Sequence, residues 1–531
     1  MAKISKLTIL LLILLTVCAI SQRLQADTSI YVFGPDQSIV IKTGGFAGVH
    51  ETYAVTGQFW LTVDSDSSVA SFEKVDANLT DETGIEYGQT LDEIFNMTGL
   101  AGTVVDGTTI EFEGKTADGT ESDVSLKLSI KDDSAHLTGN TTPPPNSADM
   151  FFYDVNAVAT KKYAGGTGEP NDPYLIYTAE QLNAIGAEPN DWDKHFKLMA
   201  DIDLSDYTGT DFNIIGVDME NPFTGLFDGN GHTISNFSYT SVDTSYIGIF
   251  GCVGLQSNRG EIRDLGLLDS VVDAGSGGGV GLLVGLLHDG TVTNCYCVGG
   301  SVSGGVKVGG LLGGNGGTIT NCYAVCSVSC SGNMWYGGVG GLVGFNSTYI
   351  NNCYAACSVT GNTTVGGLLG MNSGHVINCY STSSVSGTES VGGLLGVEWG
   401  GSITNSFWNI DTSGQALGDD GRGKTTAEMQ TLSTFTNAGW DFVDETENGT
   451  EDIWSICEGT NYPHLVWQIP AGDFVCPDGI TKDDFLFFME HWLDDNCDAS
   501  NNYCEGTDLD QSGTVDVIDL EIFFEYWSAE Q

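Results

Sequence analysis

The chain has 531 residues, 70 acidic and 18 basic, giving a formal charge of −52 at pH 7. A surface this acidic repels phosphate backbones and anionic bilayers, which excludes nucleic acid and anionic membrane as natural partners. The length leaves room for several domains, and the acid is concentrated toward the two ends.

Residues 1–26 read as a secretory signal peptide. Lys3 and Lys6 precede the apolar run Leu7 to Ile20, and a small-residue site falls near Ala26. The run is short for a membrane span, and no second apolar segment is long enough to be one. The chain is therefore expected to be secreted, extracellular or cell-surface associated, where disulfides are permitted. Cys18 follows Leu-Thr-Val and lacks the small residue expected before a lipid-modified cysteine.

Residues 27–160 alternate in strand fashion, as in YAVTGQFWLTV and SDVSLKLSI, with turn residues between the runs. This pattern predicts an antiparallel β-sandwich or barrel. TTPPPN at 141–146 interrupts regular structure, and ADMFFYDVNAVAT is a last strand or a lead into the next domain. His50 and His136 are isolated and read as ordinary histidines. No catalytic signature is present here.

Residues 161–470 are organised around a repeated phrase. It runs VGGLLGGNGGTITNCYAVCSV from Val308, VGGLVGFNSTYINNCYAACSV from Val339 and VGGLLGMNSGHVINCYSTSSV from Val365. Looser copies begin at Val280 and Val391, so successive starts are 28, 31, 26 and 26 residues apart. Such a period marks a stacked array. Two short apolar runs per copy, parted by Gly, Asn and Ser, read as strands. Stacked copies pair each strand with its equivalent about 4.8 Å away, which predicts a parallel β-helix, right-handed by the crossover rule.

Two earlier copies are degenerate, from Phe223 and from Ile247, with Asp264 at the Asn position of the NCY triplet. That Asn recurs at 294, 321, 352, 378 and 405 and is expected to serve turn backbone groups at a corner. Cys295, Cys322, Cys353 and Cys379 follow it and read as small interior fillers, as do Cys326 and Cys357. Thr178-Ala-Glu-Gln181 and Thr425-Thr-Ala-Glu428 have capping-box spacing and predict short helices closing the two ends. GWDF and DIWSICEGTNYPHLVW read as closing strands. The phrase resembles the GLUG motif of bacterial secreted and surface proteins. The resemblance implies a β-helix in adhesin-like proteins and no specific activity.

Residues 472–531 carry the sharpest chemical signal. Asp508, Asp510, Ser512, Asp516 and Asp519 offer side-chain oxygens at loop positions 1, 3, 5, 9 and 12, with Gly513 at 6 and the Thr514 carbonyl at 7. This is the spacing of a calcium loop, with Asp at the last position. The helix pattern LEIFFEYW follows, and FLFFMEHW stands 35 residues earlier. The earlier loop keeps Asp473 and Asp484 but has Val475 and Pro477 where oxygens belong, so its site is degenerate. The duplicated loop and helix resemble a type I dockerin. That resemblance implies Ca²⁺ held by Asp508, Asp510, Ser512, Thr514, Asp516 and Asp519, and a cohesin-like or cell-surface protein as partner. The partner-reading pair, usually small and polar, is Val517-Ile518 here and Lys482-Asp483 in the first half. Cys476, Cys497 and Cys504 are placed to staple this small module.

Hydrolysis of a glycan needs two facing carboxylates, and a lyase needs a base with a cation beside it. Residues 290–388 hold no Asp or Glu, one Lys (Lys307) and one His (His375). Carboxylates remain in the early coils at Asp228, Glu261, Asp264, Asp269 and Asp273, the DGNGH run from Asp228 to His232 being the most suggestive. No catalytic or cofactor-binding residue is assigned. The sequence thus predicts a mainly β protein: a right-handed parallel β-helix, an N-terminal antiparallel β domain and a small α-helical Ca²⁺-binding C-terminal module. The expected function is non-catalytic extracellular adhesion through glycan or protein contact. The alternative is a dockerin-bearing polysaccharide lyase or glycoside hydrolase.

Overall fold

The computed structural model describes residues 27–529 apart from 34–37, 45–48, 65–68, 81–89, 107–108, 117–121, 132–133, 143–150, 256–257, 333–336, 416–421, 444, 477–478 and 499–501. The signal segment, Cys18, residues 143–146, Pro477 and the His50 side chain lie outside the described residues. The chain is mainly β and divides into two units.

In the first unit, strand Val49–Asp64 pairs along one edge with both Asp27–Phe33 and Ile39–Gly44, and along the other with Val69–Thr80. Antiparallel pairing continues through Ala101–Asp106, Thr109–Lys115, Asp123–Lys131 and Ser134–Thr142 to Phe151–Lys161. That last strand returns to Asp27–Phe33 and Ile39–Gly44, so the sheet closes into a barrel. Period-two alternation sets its inside: Val124, Leu126 and Leu128 are buried while Asp123, Ser125 and Lys127 face water. Helix Leu91–Phe95, capped by Thr90 and Glu93, adds Leu91, Ile94 and Phe95 to the core with Phe59, Phe72 and Phe112. His136 is exposed and meets Asn156 Oδ1 at 2.6 Å.

The second unit holds a parallel β-solenoid. Strands Leu226–Asp228, Gly260–Arg263, Gly290–Thr293, Thr318–Thr320, Tyr349–Asn351, His375–Ile377 and Ser402–Thr404 stack as seven ranks in register. These are the seven copies seen in the sequence, the two degenerate ones included. Each full coil adds strands to three further sheets, as Val306–Gly309, Leu312–Asn315 and Tyr323–Cys330 do. Val308, Leu311, Leu312, Ile319 and Val328 point inward and are buried, as are their equivalents one coil on. The VGG glycines permit the corner: a Cβ on Gly309 or Gly366 would strike the backbone oxygen of Leu312 or Leu369.

The corner at the NCY triplet has a division of labour that differs from the expected one. Asn236, Asp264, Asn294, Asn321, Asn352, Asn378 and Asn405 all adopt left-handed backbone, with φ between 49° and 58°. Asn and Asp tolerate that region best among residues with a Cβ, and this conformation is their task. The backbone groups are served instead by the next residue. Cys322 N–H donates to Cys353 Sγ at 3.4 Å, and Cys353 Sγ donates to Asn351 O at 3.0 Å. The same pattern links Cys295 to Cys322, Cys353 to Cys379, and Cys379 to Ser406 Oγ at 3.1 Å. These cysteines are unbridged and buried, and burial holds the Cys295 and Cys353 thiols far above the usual range. They are fillers that also accept a hydrogen bond, which explains why Ser406 replaces one of them. Cys353→Ser is expected to be nearly neutral in urea unfolding, whereas Cys353→Ala orphans the Cys322 N–H and costs about 1–3 kcal/mol.

A second ladder was not foreseen. Asn315, Asn346 and Asn372 are fully enclosed, and each Nδ2 donates to the next Oδ1 at 2.8 Å. Each Oδ1 also accepts from a turn N–H, those of Gly317, Thr348 and Gly374. The Glu398 carboxylate ends the row by accepting from Asn372 Nδ2 at 3.2 Å. Asn346→Leu breaks both neighbouring bonds in a dry interior and is expected to cost about 2–4 kcal/mol in the same assay.

At the start of this unit, helix Ala179–Ala187 buries Leu182 and Ile185, and Thr178 Oγ1 accepts its Gln181 N–H as its spacing predicts. Thr425 and Glu428 complete both arms of their capping box, and strand Arg422–Lys424 extends the last coil from Phe407–Asn409. The rest of this C-terminal segment does more than close an end. The tyrosines of NCY point outward and stack as Tyr296, Tyr323, Tyr354 and Tyr380, with centroids 5.0, 4.9 and 4.8 Å apart and planes within 6°. Trp467 packs on Tyr296 and Tyr323, Trp454 on Tyr354 and Tyr380, and Trp440 on Tyr380 and Phe407. Residues 432–467 therefore form a strap running back along the side of the solenoid over several coils. Of the expected closing strands, DIWSICEGTNYPHLVW supplies the pair Trp454–Ser455 and His464–Leu465, whereas GWDF contributes only a bridge from Phe442 to Trp454.

Candidate functional site

Helices Lys482–Glu490 and Val517–Ala529 build the C-terminal module around Ile480, Phe488, Val515 and Phe523. Cys497 is bonded to Cys504 inside it, and Cys476 is bonded to Cys457 in the strap. The loop ahead of the second helix folds around its own carboxylates. Asp508 accepts from Ser512 N–H at 3.0 Å and Gly513 N–H at 2.9 Å. Asp519 accepts from the N–H groups of Asp510 at 3.0 Å and Asp516 at 2.8 Å. Asp516 Oδ1 in turn accepts from Ile518 N–H at the helix start, and Ser512 Oγ donates to Thr514 O.

Oxygens of Asp508, Asp510 and Asp519 lie within 4.8 Å of one another, with Asp508 and Asp519 buried. Burial pushes the Asp508 carboxyl above its usual range, and the charge of Asp519 and a side-chain hydrogen bond with Asp510 add to this against the lowering effect of the loop N–H groups. Three converging carboxylates, two of them out of water, make an all-oxygen donor set of the kind that fits a hard divalent ion. Of the six residues singled out in the sequence, Asp508, Asp510 and Asp519 converge. Ser512, Thr514 and Asp516 join them through the loop's hydrogen bonds.

The first loop is built differently. Asp484 Oδ1 accepts from Phe474 and Val475 N–H, and Oδ2 from Thr481 N–H and Oγ1, at 2.7–2.9 Å. Four protein donors thus converge on this carboxylate, against two on Asp519.

A groove of about 540 Å³ opens on the early coils. Its lining includes Asp228, Arg263, Asp264, Asn294, Tyr296 and Trp467. Registered stacking places Asp228 beside Arg263, and Glu261 one outward position away. Arg263 gathers Asp228 at 2.9 Å, Glu261 at 3.2 Å and Asp264 at 3.7 Å. The early-coil carboxylates therefore converge on a guanidinium rather than facing each other across a gap. Asp269 and Asp273 are not among them; Asp273 instead accepts from Ser303 Oγ at 2.8 Å. His232 meets Asp201 at 3.3 Å. The aromatic wall was missed in the sequence, although the recurring Tyr of NCY was its visible trace.

These features define a parallel β-solenoid repeat protein with an antiparallel barrel and an acidic loop-helix module. No family model matches the chain. A stretch of 139 residues, 25% of the chain, is 35% identical to a protein of Evansella cellulosilytica named as a Gly-rich membrane protein, covering 16% of it. Another match, over 187 residues or 34% of the chain, is 30% identical to halomucin of Haloquadratum walsbyi and covers 2% of that protein. The chain thus spans less than a fifth of the length of either relative. No described helix is long and apolar enough to cross a membrane.

Proposed function

We propose that this is a non-catalytic extracellular contact protein of GLUG type, attached to a protein partner through a Ca²⁺-dependent dockerin-like module. The observation that carries the reading is a flat hydroxyl grid on the solenoid. Ser301, Ser327, Ser358 and Ser384 form one column in register, and Ser303, Ser329, Thr360 and Ser386 form the next. The last three ranks are exposed, over buried or half-buried valines, in the stretch devoid of Asp and Glu. Such a face offers many equal, weak, uncharged hydrogen-bonding groups to a repetitive partner surface, where affinity comes from multiplicity. On the module, Val517 and Ile518 are 67% and 50% exposed, and Leu493 and Phe524 are exposed as well. Apolar exposure at that pair fits a protein-facing patch.

The test is retention on insoluble polysaccharides and bacterial cells. The combined variant Ser329→Lys, Ser358→Lys, Ser386→Lys should lose retention; unchanged retention would sink the reading. The rival reading, a polysaccharide-degrading enzyme, draws its support from the carboxylates around Arg263. It predicts release of reducing or unsaturated ends from a glycan panel.

A further inference from the structure

We infer that the groove on the early coils is a binding site for an uncharged oligosaccharide, seated on the open end of the tyrosine stack. The inference rests on the solenoid being a contact element and adds a ligand class and a place.

The stack of Tyr296, Tyr323, Tyr354 and Tyr380 does not continue upward. The position in register with Tyr296 on the preceding coil is Gly266, and the one before that is Thr233. Gly266 lets the Tyr296 ring lie over the backbone, since a Cβ there would collide with that ring. Tyr296 is consequently half-buried while Tyr354 and Tyr380 are covered by the strap. Trp467 flanks it with its centroid 5.9 Å away at 40°, so two aromatic rings set at an angle wall one end of the groove. A pyranose presents an apolar C–H face that suits such a wall, and its ring edge carries hydroxyls.

Planar polar groups complete the site. Asp228 and Asp264 are held in place by Arg263, and Asp264 also accepts from Asn294 Nδ2 at 2.8 Å. Fixed carboxylates and a guanidinium present paired acceptors and donors at spacings that match neighbouring hydroxyls. Charge then selects among sugars. Asp228, Glu261 and Asp264 oppose the single Arg263, so the site carries a net negative charge and disfavours uronates and sulfated sugars.

The probes are neutral hexasaccharides (cellohexaose, mannohexaose, maltohexaose, chitohexaose) and galacturonate and guluronate hexamers, titrated into full-length protein by calorimetry and tryptophan fluorescence. At least one neutral hexamer should bind, and uronate hexamers should bind at least about tenfold more weakly at low salt. Tyr296→Ala should abolish binding. Asp264→Asn installs the residue that later coils carry at this left-handed corner, so the fold is retained. It should weaken the neutral ligand about tenfold and narrow the gap to uronates. The lysine variant of the hydroxyl grid should bind soluble hexamers normally, which separates failure of this site from failure of the contact face. No neutral binding, equal uronate binding, indifference to Asp264→Asn, or cleavage of the bound sugar would each overturn the assignment.

Discussion

Ca²⁺ added to chelator-treated protein is expected to raise the unfolding midpoint of the C-terminal module and to change the emission of Trp492 and Trp527, which pack on its core. At a free concentration one hundred times Kd the gain is about 2.7 kcal/mol. The physical source is the enclosure of Asp508 and Asp519 beside Asp510, whose mutual repulsion the ion relieves. Asp519→Asn and Asp508→Asn should each erase the response, because each removes a buried charged ligand. Asp484→Asn in the first loop should leave the Ca²⁺ response in place while lowering stability without the ion, since its carboxylate takes four protein donors and lies outside the cluster of Asp508, Asp510 and Asp519. The response should also fade as pH falls, because the Asp508 carboxyl takes up a proton more readily than an ordinary aspartate and the protonated form is a poor ligand. A chelator-insensitive melting curve and fluorescence would remove the attachment half of the proposed function.

Trp454→Ala is expected to be the most damaging single change on the solenoid, at about 3–5 kcal/mol. Trp454 is fully buried, and its ring sits across Tyr354 and Tyr380. Removing it opens a void between strap and stack, uncovers Tyr354 and leaves Tyr380 with Trp440 alone among the described strap rings. Urea unfolding should show the loss, and limited proteolysis should cut within 425–468 before the coils are touched. Trp454→Phe keeps most of the ring contact and should recover more than half of the lost stability. Equal proteolysis of wild type and Trp454→Ala would show that the strap is held by other means.

The period of the repeat made the solenoid legible, because stacking is the only way such short apolar runs bury one face. Even the degenerate copies could be placed, since Asp264 shares the left-handed preference of the Asn it replaces. The alternating runs of residues 27–160 indicated an antiparallel sandwich or barrel but did not decide between them. Closure depends on the last strand finding the first two across more than 100 residues, which no local pattern encodes. The roles inside NCY were only half visible. Its Cys was read as filler because a thiol's weak hydrogen bonds leave no mark on a sequence. Its Tyr went unused because an outward ring looks solvent-facing until a partner is known, and Trp440, Trp454 and Trp467 share no period with it. The acidic loop 508–519 was the opposite case: one contiguous stretch with fixed spacing, in which Asp508, Asp510 and Asp519 fold together. The groove needed Asp228 and Arg263, 35 positions apart, to meet, and only coil register brings them together.

The bond between Cys457 and Cys476 has a mechanical meaning. If the C-terminal module is the tether, a pull on it bypasses the backbone between 457 and 476 and enters the strap between Trp454 and Trp467. Force then reaches several coils side-on and must slide a row of stacked rings at once. It does not unzip the column rung by rung from its last turn, so the anchorage resists drag as a lap joint does.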